Sequence, residues 1–208
     1  MPQTLDVVSS LKLLSKYKIK VAHCHLAKTK SELKRFIKKI GFPLVLKVVS
    51  PKAIHKTEVK GVYTNIKSES EALRAFQKLR KISGFEGALV QQQVSGSEWL
   101  IGSKTDLQFG PTLVFGTGGI FVELLKDFSL RVLPISKIDA GQMIAEIKHQ
   151  KLVEGFRGQP ALPKNQTVKM LLQIQKLVLT EKPVEMDINP LIATEKGLVA
   201  VDARFVFE

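Results

Sequence analysis

Apolar positions along the chain follow two rhythms, one helical and one alternating. Val7, Leu11 and Leu14 recur at helical spacing. Leu33, Phe36, Ile37 and Ile40 do so again before Gly41 and Pro43 interrupt the pattern, so two helices are predicted there. The run LVLKVV (44–49) is short and rich in β-branched residues. After it come the polar stretch SPKAIHKTEVKG and a second run, VYTNI (62–66), which together predict a hairpin with a long tip. A loop of about a dozen residues without structure of its own is uncommon unless it handles a ligand.

Ser68 and Glu71 are spaced as a capping box for a helix carrying Ala72, Phe76 and Leu79, which Gly84 ends before the strand-like ALVQQQV (88–94). Strand-like runs follow at WLIGS, PTLVF and SLRVLP, helical patterns around 139–148 and 166–179, and two strands close the sequence. Strands and helices mix without strict βαβ alternation, which predicts an α+β arrangement of two lobes.

The bulk numbers narrow the picture modestly. A hydrophobic content of 44% over 208 residues is ample for a core. The excess of 32 Lys+Arg over 19 Asp+Glu gives a net +13, a field that attracts nucleic acid, nucleotides, coenzyme A or an acidic partner alike. Lys34, Arg35, Lys38 and Lys39 lie among apolar residues at helical spacing, the pattern of a solvated helix face. No stretch approaches the ~20 consecutive apolar residues of a membrane span, and the N-terminus lacks a basic segment followed by an apolar run. Cys24 has no second cysteine to pair with. A cytoplasmic protein is expected. Aromatic content of 7% with no aromatic-basic recognition motif makes a nucleic-acid binder the least favoured class.

The most informative chemistry lies at the end of the chain, where PVEMDINPLIATEKGLVAVDARFVF reads as two strands joined by the turn Thr194–Gly197. If Ala193 faces Leu198, Asn189 falls opposite Asp202 and Asp187 opposite Arg204, all on one face. Directly opposed residues have Cβ atoms about 5 Å apart, close enough for a carboxylate and an amide oxygen to share one hard cation such as Mg²⁺. The same face can equally be a polar outer surface. Asp187 ranks as the weaker ligand because the residue opposite it is a cation.

Lys47 is an isolated charge inside LVLKVV. It needs an anion such as phosphate, or it lies on the wet face of a half-exposed strand with Leu44, Leu46 and Val48 on the other side. His55 sits in the following loop among Lys52, Lys56 and Lys60, where ammonium groups would lower its pKa and hold an incoming phosphate; a loop histidine is also often merely exposed. FGTGGIF (115–121) offers backbone N–H groups at Gly116, Gly118 and Gly119, but it is not a dinucleotide fingerprint, and a tight turn between strands explains it as well. Arg131 would clamp a phosphate oxygen or pair with Asp127. In His23, Cys24 and His25, strand alternation puts the cysteine opposite both histidines, which argues against a metal site.

Taken in order, GFPLVLKVVSPKAIHKTEVKGV (41–62), LVQQQVSGSEWLIG (89–102), FGTGGIFVELLKDFSLRVLP (115–134), EGFRGQP (154–160), and EMDINPL (185–191) with VDAR (201–204) resemble the ATP-grasp (beta) subunit of the ADP-forming acyl-CoA synthetases, acetate–CoA ligase among them. The resemblance implies an ATP-grasp fold, α+β, with nucleotide bound between a small lobe (21–92) and a large lobe (93–208) after an N-terminal helix (1–20). It implies reversible conversion of acyl-CoA, phosphate and ADP to acid, CoA and ATP through a phosphohistidine. Residue by residue, His55 matches the phosphorylated histidine and Lys47 the lysine on nucleotide phosphates. Gln91, Gln92 and Val94 match the adenine-reading hinge, and Glu98 the ribose ligand. Asn189 and Asp202 match the metal ligands, with Asp187 as a further candidate. Gly61, Gly116, Gly118, Gly119, Glu123 and Arg131 fall in the phosphate-handling segments.

The family loop reads histidine-lysine-serine-aspartate-valine-glycine-glycine, from which Thr57, Glu58 and Lys60 depart, and the glutamine run at the hinge leaves ATP against GTP open. The expected cofactors are ATP/ADP and Mg²⁺. The expected partner is a CoA-binding alpha subunit in a hetero-oligomer, because the chain shows no glycine-fingerprint fold for CoA. The rival readings are an ATP-grasp carboxylate ligase acting through a direct acyl phosphate, and a basic nucleic-acid-binding protein.

Overall fold

The computed structural model describes residues 2–52, 60–119 and 126–208. The chain divides into two compact units, residues 22–93 and residues 1–21 with 94–208. The first 21 residues therefore fold with the C-terminal part. They contribute β1 (Gln3–Thr4) and α1 (Val7–Lys16), whose N-cap Asp6 accepts the backbone N–H groups of Val8 and Ser9 and whose Val7, Leu11 and Leu14 are buried.

The smaller unit runs β2 (Cys24–Ala27), α2 (Lys30–Ile40), β3 (Leu44–Val49), β4 (Val62–Ile66), α3 (Glu69–Leu79) and β5 (Gly87–Gln92). Its four strands form an antiparallel sheet in the order β2-β5-β3-β4. Leu33 and Ile37 of α2 and Ala72, Phe76 and Leu79 of α3 pack with Leu44, Leu46 and Val48 of β3 in one core. Lys34, Arg35, Lys38 and Lys39 lie on the exposed face of α2, where Lys34 pairs with Glu69 at 2.9 Å. A full capping box forms at Thr29 and Glu32. At the Ser68–Glu71 box predicted from sequence only half forms: Ser68 accepts the Glu71 N–H, while the Glu71 carboxylate takes the N–H of Lys67 instead.

The larger unit continues with β6 (Ser97–Asp106), β7 (Gly110–Thr117), β8 (Phe128–Val132), α4 (Lys137–Ala145), α5 (Gln150–Glu154), α6 (Lys164–Glu181), β9 (Glu185–Thr194), β10 (Gly197–Ala200) and β11 (Arg204–Phe207). Its sheet runs β1-β11-β9-β6-β7-β8, with β10 also paired to β9. Trp99 and Phe115 stack at 5.4 Å within the buried layer, and α4 packs on both α6 and β8. At the β8 edge the outward residues Phe128, Leu130 and Val132 are 53%, 48% and 44% exposed, while buried Ser129 donates to the Met143 carbonyl at 2.8 Å. No helix among the described residues is long and apolar enough to cross a membrane.

Phe76 is fully buried and packs edge-on against Phe85 at 5.8 Å. Phe76→Ala is expected to destabilise the smaller unit by about 3–5 kcal/mol, through lost burial and the cavity left behind, as read by urea denaturation.

Candidate functional site

The hairpin at the C-terminal end has the register its turn predicts. Leu198 faces Ala193, and the same pairing rule places Arg204 opposite Asp187 in β11. Between these paired segments residues 201–203 leave strand conformation, although the Val201 N–H still reaches the Pro190 carbonyl at 3.3 Å. On its other side β9 shifts register against β6: Ile188 faces Ile101 and Leu191 faces Trp99, so Asn189 and Pro190 together oppose Leu100. This is a β-bulge, and a proline, lacking an N–H, suits the interrupted ladder. Asn189 and Pro190 are both half-buried between buried Ile188 and Leu191, so the bulge breaks the in-out alternation where Asn189 stands.

The re-aimed Asn189 meets the glycine segment, its Oδ1 accepting the Gly119 N–H at 3.3 Å. Three glycines make the close approach possible. A Cβ on Gly116 would lie 2.7 Å from the Asp127 carbonyl oxygen, and one on Gly118 would lie 2.5 Å from the Trp99 backbone. Gly119 has φ +61°, and a Cβ there would overlap the Glu98 carboxylate at 1.6 Å. The Gly118 N–H is held by the Glu98 carbonyl at 2.8 Å. Glu98, Gly118, Gly119 and Asn189 are thus brought together, and the N–H groups of both Gly118 and Gly119 are bonded within the protein.

Asp187 has an unusual setting. Burial, and then the negative charge of Asp202, push its carboxyl up to about 6, and Glu185 adds to this while Arg204 partly offsets it. Arg204, opposite Asp187 as the turn predicts, pairs with Glu185 at 3.7 Å, both half-exposed, and its charge still acts on Asp187. The Asp187 and Asp202 carboxylates are close enough for their charges to repel, and carboxylate and amide oxygens are the donor types a hard divalent cation takes.

Lys47 and Gln91 belong to the smaller unit. Strand β3 is buried along its whole length, and Lys47, opposite Leu89 of β5 and Val62 of β4, is only 6% exposed. The wet-face alternative for Lys47 is therefore overturned: β3 is the inner strand between β4 and β5, and Lys47 is shielded from solvent. Gln91 shares the Lys47 face and is buried, whereas Gln92 points the other way and is exposed. The chain passes from one unit to the other between Gln93 and Val94. The Gly61 carbonyl accepts the Val48 N–H at 2.8 Å, extending the β3–β4 ladder. Lys60, where the related loop has glycine, adopts φ +52°, a conformation that favours glycine.

Arg131 does not pair with Asp127. Its guanidinium grips the Glu146 carboxylate through two hydrogen bonds, at 3.0 and 2.5 Å, which raises the Arg131 pKa and lowers that of Glu146. His25 stacks on Phe36 at 4.5 Å. His55 and Glu123 lie outside the described residues.

Comparison with known proteins fits this layout. An ATP-grasp domain matches residues 2–207. The chain belongs to the ATP-grasp family. The beta subunit of acetate–CoA ligase (ADP-forming) I from Pyrococcus furiosus is 38% identical over 203 residues, covering 93% of this ATP-grasp chain and 88% of that subunit. Acetate–CoA ligase (ADP-forming) II from Archaeoglobus fulgidus is 43% identical over 195 residues, covering 93% of this chain but 29% of that protein, so the chain spans under a third of that longer relative. Among solved ATP-grasp structures, the dinucleotide-forming acetyl-coenzyme A synthetase 1 of Korarchaeum cryptofilum, in complex with coenzyme A and Ca-AMPCP, superposes with a TM-score of 0.92 at 41% identity over 99% of this chain and 94% of that one. Another structure of it, with coenzyme A and Mg-AMPPCP and a phosphohistidine segment pointing towards the nucleotide-binding site, has a TM-score of 0.86 at 38% identity over 99% and 93%.

Two outcomes follow from the geometry. The folded-state pKa of Asp187, about 6, lies above the ordinary 3.8, so the contribution of this group to stability is greatest near pH 4 and declines as pH rises to about 6. Asp187→Asn is therefore expected to stabilise the metal-free chain above pH 7 by about 2 kcal/mol and to leave it little changed near pH 4, as read by thermal unfolding across pH. Gly119→Ala is expected to expel Glu98 from its seat and to weaken nucleotide binding by about tenfold or more, measured by equilibrium dialysis.

Proposed function

We propose that this chain is the nucleotide-binding subunit of an ADP-forming acid–CoA ligase, which carries a phosphoryl group between ADP/ATP and His55. The observation that supports this best is the hydrogen bond of Asn189 to the Gly118–Gly119 corner, together with the repulsion between the Asp187 and Asp202 carboxylates. A cation donor that meets a glycine corner suits phosphoryl transfer, which needs both metal and backbone amides near the phosphates. The overall reaction is acyl-CoA, phosphate and ADP to acid, CoA and ATP.

Asp187, Asn189 and Asp202 would hold Mg²⁺, which when bound offsets the charge of the nucleotide phosphates. Lys47 supplies a buried positive charge for phosphate, and Glu98 accepts from the ribose hydroxyls. Gln91, Gln92 and Val94 lie on the segment that would read the adenine. In the ATP-consuming direction an imidazole nitrogen of His55 attacks the γ-phosphorus, a P–N bond forms, the bond to the β–γ bridging oxygen breaks, and ADP leaves. On a CoA-binding alpha subunit a carboxylate oxygen of the acid then attacks that phosphorus, and the P–N bond breaks to free the imidazole. The CoA thiol displaces phosphate from the resulting acyl phosphate to give acyl-CoA, so the working form is a hetero-oligomer. The similarity to a separate beta subunit in Pyrococcus furiosus supports that division of labour.

Incubation of the chain with γ-labelled ATP and Mg²⁺ is expected to give protein-bound phosphate that is stable to alkali and labile to acid, and His55→Ala is expected to reduce it by at least about a hundredfold. Label that persists in His55→Ala removes the phosphohistidine. An acid-labile acyl phosphate that forms only when a free acid is added would instead favour direct carboxylate activation.

A further inference from the structure

Asp127 is a buried carboxylate, 3% exposed, that the proposed chemistry does not use. Three donors hold it, all from the corner joining α4 to α5: the N–H of Lys148 at 2.9 Å, the N–H of His149 at 2.9 Å, and Nδ1 of the half-exposed His149 ring at 2.7 Å. Burial alone would raise the Asp127 pKa, but these bonds outweigh it and hold the carboxyl below its ordinary value. The backbone of the same residue faces the other way. Its carbonyl accepts the N–H of Thr117 at 3.0 Å and lies 3.4 Å from the Thr117 hydroxyl. Thr117, itself 2% exposed, leads directly into Gly118 and Gly119, and the Gly119 N–H reaches Asn189.

We propose that Asp127 is a positioning residue for the nucleotide and metal site: by anchoring Thr117 to the α4–α5 corner it fixes the Gly118–Gly119 corner that orients Asn189. This rests on the functional reading above. Closing the base of a glycine segment needs only the Asp127 carbonyl, which any residue supplies. The carboxylate adds a rigid tie to a second element, and a buried charge is kept at such a place only when every lone pair in use has a donor. The connection runs without a break from His149 through Asp127, Thr117 and Gly119 to Asn189. Each link is a hydrogen bond or an adjacent peptide unit, so a slack tie at one end frees the amide at the other.

Amide hydrogen exchange on the full chain, without nucleotide, tests the anchoring directly. In Asp127→Asn, which keeps one acceptor for the backbone N–H groups, exchange at Thr117 and Gly119 is expected to rise about tenfold, and in Asp127→Ala about a hundredfold, with protection at Trp99 and Ile101 retained. Unchanged exchange at Thr117 and Gly119 overturns the proposal. So does an equal loss of protection throughout β6 and β7 in Asp127→Asn, which would assign the residue to general stability.

In single-turnover phosphorylation with Mg²⁺ and ATP, Asp127→Asn is expected to raise the half-saturating ATP concentration about tenfold while the rate constant at saturation stays within about twofold, and the double variant with Asn189→Ala should be no weaker in Mg²⁺ affinity than Asn189→Ala alone. Additive losses in the double variant overturn the link to Asn189. If the unaltered chain neither binds Mg²⁺-ATP nor becomes phosphorylated, the functional reading fails, and the exchange result still decides the anchoring.

Discussion

Strand β9 must satisfy three neighbours at once, and the pleat it can offer them has a period of two residues. It pairs with β6 on one side and with β10 and β11 in succession on the other, so its register is fixed twice. An uninterrupted pleat would hold Asn189 in strict alternation with its neighbours. The bulge at Asn189 and Pro190 breaks that alternation on the β6 side while the pairing rule on the hairpin side is kept, and the released amide is the one the glycine corner meets. The glycines at 116, 118 and 119 answer the same constraint, because β6 and β8 approach their Cα atoms more closely than a side chain allows.

How much of this could be read in advance depended on the range of the interaction concerned. The hairpin register was legible because a short turn fixes it locally, and the opposition of Asp187 and Arg204 followed from arithmetic on the turn alone. The helices of the smaller unit were legible from the spacing of Leu33, Ile37, Phe76 and Leu79. Lys47 was ambiguous because alternation within one strand does not say whether that strand is central. That β3 is an inner strand is decided by β4 and β5, which pair with its two edges. The partner of Arg131 was misjudged for a related reason. Asp127 is nearer in sequence, but Glu146 arrives on a helix fifteen residues on, and Asp127 is already held from residues 148 and 149. The bulge had a faint signal in Pro190, a residue that a regular interior ladder excludes.

The acidic pair explains why a chain with a net charge of +13 places carboxylates where they repel each other. Surface lysines such as those of α2 are solvated at little cost, whereas burial and the charge of Asp202 disfavour the ionised Asp187 carboxylate at neutral pH. In the proposed function, binding of a cation would recover that cost. The short reach of the Glu98 carboxylate to Gly119 has the same character, since local freedom is given up for a defined arrangement of oxygens.

The β8 edge has a consequence for the behaviour of the isolated chain in solution. Phe128, Leu130 and Val132 present an apolar row beside a ladder edge that no strand of this chain covers among the described residues, while Arg131 is turned away towards Glu146 and offers that row no charge. Such an edge is a template for association with another strand. What opposes self-association is the long-range repulsion between molecules that each carry +13, and that repulsion is screened by salt. Colloidal stability of the chain by itself thus falls as ionic strength rises, because salt weakens the repulsion that keeps these edges apart.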